Sequence, residues 1–257
     1  MVQRFFVGPG AIGEGVVTLS GPQARQMMTV LRMRPGDHCF VLDNSGYQYE
    51  VVVVDLTPHE VRGEIHSRSL VTTEPRTKIT VYQAMLKADR FEYVLQKGTE
   101  IGVVSFVPTI CDRCVLGNIG NGRSAKIERW ERIIVEAAEQ SGRGKLPSLQ
   151  SATLFRQAVE SARGISLIPY EEEHTEHLRD VLRKLISTQS GGVTSGKPRP
   201  FAINILTGPE GGYTEAEIEL AKSYGIVPVT LGPRILRAET AALATATAIL
   251  YETGDFG

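Results

Sequence analysis

The chain predicts an α/β protein with a smaller, strand-rich module at its N-terminus. Three observations carry this. From residue 77 onward, short β-branched runs alternate with segments of helical period, the pattern of a largely parallel sheet covered by helices on both faces. Before residue 71 the runs are almost all strand-like and are separated by turn signals. Between the two, "SLVTTEPRT" breaks both patterns and marks a boundary. The expected domains are therefore 1–71 and 76–257.

In the first module, "RFFV", "EGVVTLSG", "CFVLD", "QYEVVVVDL" and "EVRGEIHSR" read as strands, bounded by "RPGD", "NSG" and "TPH". One segment differs: "GPQARQMMTVLRMRPGD" sets Ala24, Met27, Met28 and Leu31 at helical spacing, and Pro35-Gly36 is expected to end that helix. A small β-barrel carrying one helix follows.

In the second, "KITVYQAML" is a strand and "RFEYVLQKGTEIG" a helix stopped by Gly102. "VVSFVPTIC" is a strand, and "SAKIERWERIIVEAAEQSG" a long amphipathic helix capped by Gly142. "TLFRQAVESA" is a helix, "GISLIPYE" a strand and "HTEHLRDVLRKLIS" a helix. The stretch 188–200, "TQSGGVTSGKPRP", reads as a linker-like loop. "FAINILTG", helix "TEAEIELAKSYG", "IVPVTLG" and a helix from about Ala238 complete the pattern.

Composition excludes several classes. There is no long uncharged apolar run, so no membrane span is expected, and "MVQRFFVGPG" lacks the features of a signal peptide. An intracellular, cytoplasmic protein is expected. A net charge of −1 argues against a general polyanion binder. Residues 71–150 hold 12 Lys/Arg against 9 Asp/Glu, and residues 201–257 hold 3 against 7. A mildly basic middle suits local phosphate contact, and an acidic end suits a cationic small molecule. Cys111 and Cys114 form "CDRC" without a second cysteine pair, so close packing near a strand end is preferred to a metal site. "GPGAIG" matches a dinucleotide fingerprint through Gly8, Gly10 and Gly13, but a strand-like run follows where a helix must open. A turn is expected there, not a nucleotide site.

Two loops carry the chemistry. In "TGPEGG", Gly208, Gly211 and Gly212 permit positive φ and bring bare backbone close to a ligand. Thr214 and Glu217 then form a capping box. In "LGPRILRAETAA", Gly232, Pro233, Arg234 and Arg237 lie between a strand and an alanine-rich helix, with Glu239 in the favourable first turn. Both loops leave the carboxyl ends of predicted strands, where ligands sit in open α/β sheets.

These two loops together resemble the signature of the bacterial ribosomal RNA small subunit methyltransferase E family, of the SPOUT class. "RFFV", "VLRMRPGD", "LQKGTEIGV" and "RWERIIVEAAEQSGR" resemble further blocks of that family, in order, so the resemblance spans nearly the whole chain. One departure is Gln26, where relatives usually carry His. The resemblance implies S-adenosylmethionine-dependent methylation of N3 of a uridine (position 1498 in common numbering) in 16S rRNA of the small ribosomal subunit. It implies a PUA-like RNA-binding N-terminal module, a C-terminal domain with a deep trefoil knot, and a homodimer; from the cysteine spacing no metal is expected. By the same resemblance the cofactor loops are Pro169, Tyr170, Leu206, Thr207, Gly208, Pro209, Glu210, Gly211, Gly212, Leu231, Gly232, Ile235, Leu236 and Arg237, with the apolar members sandwiching adenine. Arg237 and Glu239 are the candidate catalytic residues. Arg25, Arg32 and Arg34 on the module's helix, with Arg4, Lys97, Gln140 and Arg143, are the candidate RNA contacts. Two rivals stay open: a non-catalytic RNA-binding or ribosome-associated protein, and a methyltransferase acting on another RNA such as tRNA.

Overall fold

Strand and helix periods translate into two units in the computed structural model, which describes residues 2–114, 125–190 and 202–256. The first unit comprises residues up to Glu74 together with Val135–Leu146; the second comprises Pro75–Ile134 and Pro147 onward.

The first unit is a five-stranded sheet. Its strands are β1 (Gln3–Phe6), β2 (Val16–Ser20), β3 (His38–Leu42), β4 (Tyr47–Leu56) and β5 (Glu60–Leu70). Their spatial order is β1-β3-β4-β5-β2, parallel between β1 and β3 and antiparallel elsewhere. Alternation puts Phe5, Val17, Leu19, Val41, Val51 and Val53 into one core. "GPGAIG" joins β1 to β2 as a turn, with Gly10 at φ +85° and the Ala11 N–H donating to the Gly8 carbonyl. No helix opens there.

The single helix departs from expectation. A short α1 (Pro22–Arg25) passes directly into a wide π turn, Gln26–Val30, in which the Leu31 N–H donates to the Gln26 carbonyl. Arg32 then adopts a left-handed φ of +53°, so the helix stops before reaching Pro35-Gly36. The wide turn and the reversal at Arg32 bring Met33 back against the core that already holds Ala24 and Met27. Arg25 is therefore the only one of Arg25, Arg32 and Arg34 that a helix carries, although all three are exposed. Gln26 is exposed too.

The second unit is a parallel sheet in the order β12-β10-β11-β6-β7-β8, with β9 pairing beside β7. The strands are β6 (Lys78–Ala84), β7 (Ser105–Ile110), β8 (Ser148–Leu149), β9 (Thr153–Leu154), β10 (Ile165–Pro169), β11 (Ala202–Thr207) and β12 (Val227–Val229). The helices are α2 (Arg90–Ile101), α3 (Ala125–Ser141), α4 (Phe155–Ser161), α5 (Leu178–Ser190), α6 (Glu215–Ser223) and α7 (Ala238–Glu252). Gly102 ends α2 at φ +119°, and Gly142 follows α3 at φ +74°. One core packs α2, α5 and α7 with residues of β6, β10 and β11; a second packs α4 and α6 with Tyr82, Ile168 and Leu206. This is the α/β architecture with a mostly parallel sheet that the alternation predicts. Of the 188–200 loop, the first three residues extend α5 and residues 191–200 lie outside the described residues. Among the described residues no helix is long and apolar enough to cross a membrane.

Candidate active site

A cleft of about 460 Å³ opens at the carboxyl ends of β10, β11 and β12. Three connections wall it: residues 169–174 after β10, 207–213 after β11, and 230–241 after β12 and into α7.

The connection after β11 is braced. The Gly212 N–H donates to the Pro209 carbonyl, and Gly212 holds φ +68°. A Cβ on Gly212 would meet Glu171 Oε1, the movable end of a side chain, so it is the left-handed turn that calls for glycine here. Arg113 Nη1 donates to the Gly211 carbonyl at 2.8 Å and to the Tyr213 carbonyl at 3.3 Å. The predicted capping box forms: Thr214 Oγ1 accepts from the Glu217 N–H, while the Glu217 carboxylate accepts from the Thr214 N–H at 2.8 Å. Glu217 also takes the Asp112 N–H at 3.0 Å. The "CDRC" turn is thus a brace. Its Cys111 N–H donates to Cys114 Sγ, and that sulfur, hydrogen-bonded by Cys111, is held below the ordinary thiol range. Among the described residues no group of His, Cys, Asp and Glu could hold a metal ion.

The connection after β12 is more open. The Gly232 N–H donates to Thr230 Oγ1 at 3.2 Å, at φ +103°. Ile235 is 88% exposed, whereas Leu231 and Leu236 are half-buried. Arg237 sits at the N-cap of α7 in an extended conformation, exposed on the cleft wall.

The cleft brings together Pro169, Tyr170, Thr207, Gly208, Pro209, Glu210, Gly212, Leu231, Gly232, Ile235, Leu236 and Arg237. Two expected members do not line it. Leu206 is fully buried in the core, because strand alternation sends it to the face opposite Thr207. Gly211 is exposed, with its carbonyl turned to Arg113. Glu239 also stands outside the lining: its side chain is only 12% exposed, and its Oε2 is buried without a partner among the described residues. Sequence reasoning missed Arg90, Glu171 and His174, all on the wall. A signal existed for Arg90, since a cation in the first turn of a helix opposes the helix dipole.

The candidate RNA contacts divide. Arg25, Arg32, Arg34 and Gln140 are exposed. Arg4 is half-buried, its guanidinium 5.3 Å from the centre of the Phe40 ring. Lys97 is bonded to both Glu100 oxygens, at 2.8 and 3.0 Å. Arg143 overturns the expectation. Its side chain is 4% exposed and it donates to Glu74 through Nη2 at 2.8 Å and Nε at 3.2 Å. The fork that suits a phosphate is used on a carboxylate inside the protein.

Residues 73–250 match the family model of an RNA methyltransferase domain. The Synechocystis protein named ribosomal RNA small subunit methyltransferase E is 37% identical over 253 residues, covering 97% of this chain and 78% of that one. The chain belongs to the ribosomal RNA small subunit methyltransferase E family. The Bacillus subtilis family member is 29% identical, covering 92% of this chain and 90% of its own. The crystal structure of the Neisseria gonorrhoeae member, solved bound to S-adenosyl methionine, superposes with a TM-score of 0.81 at 30% identity over 98% of each chain.

Proposed function

We propose that the protein is an S-adenosylmethionine-dependent rRNA methyltransferase that acts on 16S rRNA in the small ribosomal subunit, at N3 of a uridine. The observation that carries this is the cleft itself, built at the carboxyl ends of parallel strands from the two loops of the family signature. Its residues fit the cofactor. The volume lies in the range of small-molecule sites. The buried Thr207 Oγ1 on the wall lacks a partner among the described residues and suits a polar group of the ligand. A Cβ at Gly232 would project into open space at a φ that only glycine adopts readily.

When bound, S-adenosylmethionine supplies an electrophilic methyl group, transferred as its bond to sulfur breaks toward sulfur and a bond to nitrogen forms. The chain's own task is to hold the base in line and to favour loss of the N3 proton. Arg237, exposed on the cleft wall, meets the base or its phosphate. Glu239, lying behind the wall, acts by orienting a cation rather than by reaching the substrate. In the same reading the strand order β12-β10-β11, in which the chain returns past β10, supports a deep trefoil knot. The expected domain 1–71, to whose unit Val135–Leu146 also belongs, then serves as a PUA-like RNA-binding module, and the rest of 76–257 as the catalytic domain. The groove between α5 and α7, lined by Leu178, Leu182, Leu236, Ala248 and Tyr251, suits a second copy of the chain, giving a homodimer in the cytoplasm.

The test is nucleoside mass spectrometry after incubation with S-adenosylmethionine and unmodified small subunits. One 3-methyluridine is expected, and Arg237→Ala is expected to lower its yield severely without unfolding the protein. Cofactor binding without product on small subunits, but with product on tRNA, would move the assignment to another RNA.

A further inference from the structure

Among the described residues, Arg90 is the one cleft residue that none of the three loops supplies. It comes from the first turn of α2, where Asp89 is the N-cap and the helix dipole disfavours a cation. Helix stability therefore does not account for it. Two carboxylates flank it: Glu210 Oε1 accepts from Nη1 at 3.5 Å, and Glu239 Oε1 is 3.9 Å from Nε, an ion-pair contact without a hydrogen bond. Glu210 lies in the loop after β11 and Glu239 in the first turn of α7, directly after the loop that follows β12. Glu210 is itself fixed, since its Oε1 takes the Lys87 N–H at 3.0 Å. Glu239 is nearly buried and has an unpartnered oxygen, so in this chain its carboxylate works through Arg90.

A guanidinium has five N–H donors in a rigid plane. Two carboxylate contacts leave donors over, and the side chain remains 37% exposed on the cleft wall. Arg237 differs: no carboxylate holds its side chain among the described residues. A charge held in place before reaction costs no reorganisation when charge develops on the substrate, whereas a loose one does.

We infer that Arg90, oriented by Glu239 and Glu210, is a catalytic residue that contacts a carbonyl oxygen of the target base and stabilises the anion formed when its imide nitrogen gives up a proton to solvent. Glu239 is then a positioning residue. This rests on the methyltransferase reading above. Among the described residues the other titratable or charged groups on the cleft wall are Glu171, His174, Arg234 and Arg237, and Lys87, Asp89 and Glu92 lie beside Arg90 in the chain.

The experiment compares Arg90→Ala, Arg90→Lys and Glu239→Gln with the wild type on small subunits from pH 6.5 to 10, with cofactor binding followed by calorimetry. A His174→Ala background removes the neighbouring imidazole from the profile. Arg90→Ala is expected to cut kcat/KM roughly 100-fold at pH 7.5, the scale of losing one preorganised donor to an oxyanion. The loss should shrink to under about 10-fold at pH 10, because the imide then ionises without help. Cofactor affinity should stay within about 3-fold. Arg90→Lys should recover part of the rate, and Glu239→Gln should show a smaller loss that does not add to that of Arg90→Ala. Unchanged turnover, an equal loss at every pH, or a cofactor affinity that falls with the rate would each overturn the inference while leaving the enzyme assignment standing. Absence of product from the wild type, on any RNA, would remove the assignment and the inference with it.

Discussion

Replacing Arg143 with methionine separates a structural arginine from an RNA-binding one. The guanidinium makes a two-point contact with Glu74, at 2.8 and 3.2 Å, and both groups are largely hidden from water. Glu74 also accepts the Gly144 N–H at 3.0 Å and the Lys145 N–H at 3.2 Å, so it clamps the chain just after α3. Removing one partner of a buried pair typically costs about 3–5 kcal/mol, because the other charge is left uncompensated. Here two backbone donors remain on Glu74, which places the expected loss near the lower end, about 3 kcal/mol. Burial alone would raise the Glu74 pKa; hydrogen bonding and charge from Arg143, with the two N–H groups, outweigh it and hold the carboxyl below its ordinary value. The sign follows: the stabilisation is present above the unfolded pKa and is lost as pH falls through the lower folded one. Urea denaturation at pH 7 and pH 3 measures it, and the gap between wild type and variant should narrow at pH 3. A loss under about 1 kcal/mol at pH 7, with weakened RNA binding and an unchanged midpoint, would refute the buried-pair account.

Two further perturbations follow from single sites. Glu139 is pushed up to about 7, chiefly by burial and secondarily by Glu136, against the lowering effect of the Phe6 N–H it accepts. Its favourable protonated state is full below the unfolded pKa of 4.5 and is lost as pH rises through 7. Glu139→Gln keeps an acceptor for Phe6 and should stabilise the protein by about 1–2 kcal/mol at pH 8, after discounting for partial exposure, and by nothing at pH 4; thermal melts at the two pH values check this. Gly212→Ala forces a side chain into a left-handed backbone and against Glu171, so a stability loss of about 1–2 kcal/mol is expected. Calorimetry should show weaker S-adenosylmethionine binding in that variant, and normal affinity would mean the loop does not touch the cofactor.

What the sequence made legible was local. Gly102 as a helix stop, Thr214 with Glu217 as a capping box, and the two glycine-broken loops all declare themselves within a few residues, because each signal is a backbone constraint. The strand-to-loop placement of the cleft follows from the alternation of elements. The failures are long-range or geometric. Nothing near Arg143 shows that Glu74, 69 residues earlier, will take its charge. Nothing near Arg90 points to Glu210, 120 residues later. The π turn at Gln26–Val30 keeps helical spacing over its first residues, so its extra width and the reversal at Arg32 leave no periodic trace. Leu206 is a different kind of miss: period-two alternation already assigned it and Thr207 to opposite faces.

The two signature loops are built on opposite principles, and that difference bears on function. The loop after β11 is tied from outside by Arg113, by the Asp112 N–H through Glu217, and by its own turn at Pro209–Gly212. Its backbone is braced by contacts within the chain. The loop after β12 ends in an extended Arg237 and carries Ile235 almost wholly in water. Leaving a side chain of that size exposed forgoes about 1.5–3 kcal/mol of burial. A ligand or a chain that covered the isoleucine would recover that burial. It stands on the cleft wall, while Leu231 and Leu236 line both the cleft and the groove between α5 and α7. Whatever occupies the one or the other meets the same loop, at whose end Arg237 stands with no carboxylate on its side chain among the described residues, whereas Arg90 lies between Glu210 and Glu239. The cleft thus carries one cation flanked by two carboxylates of its own fold and a second that is left for what binds.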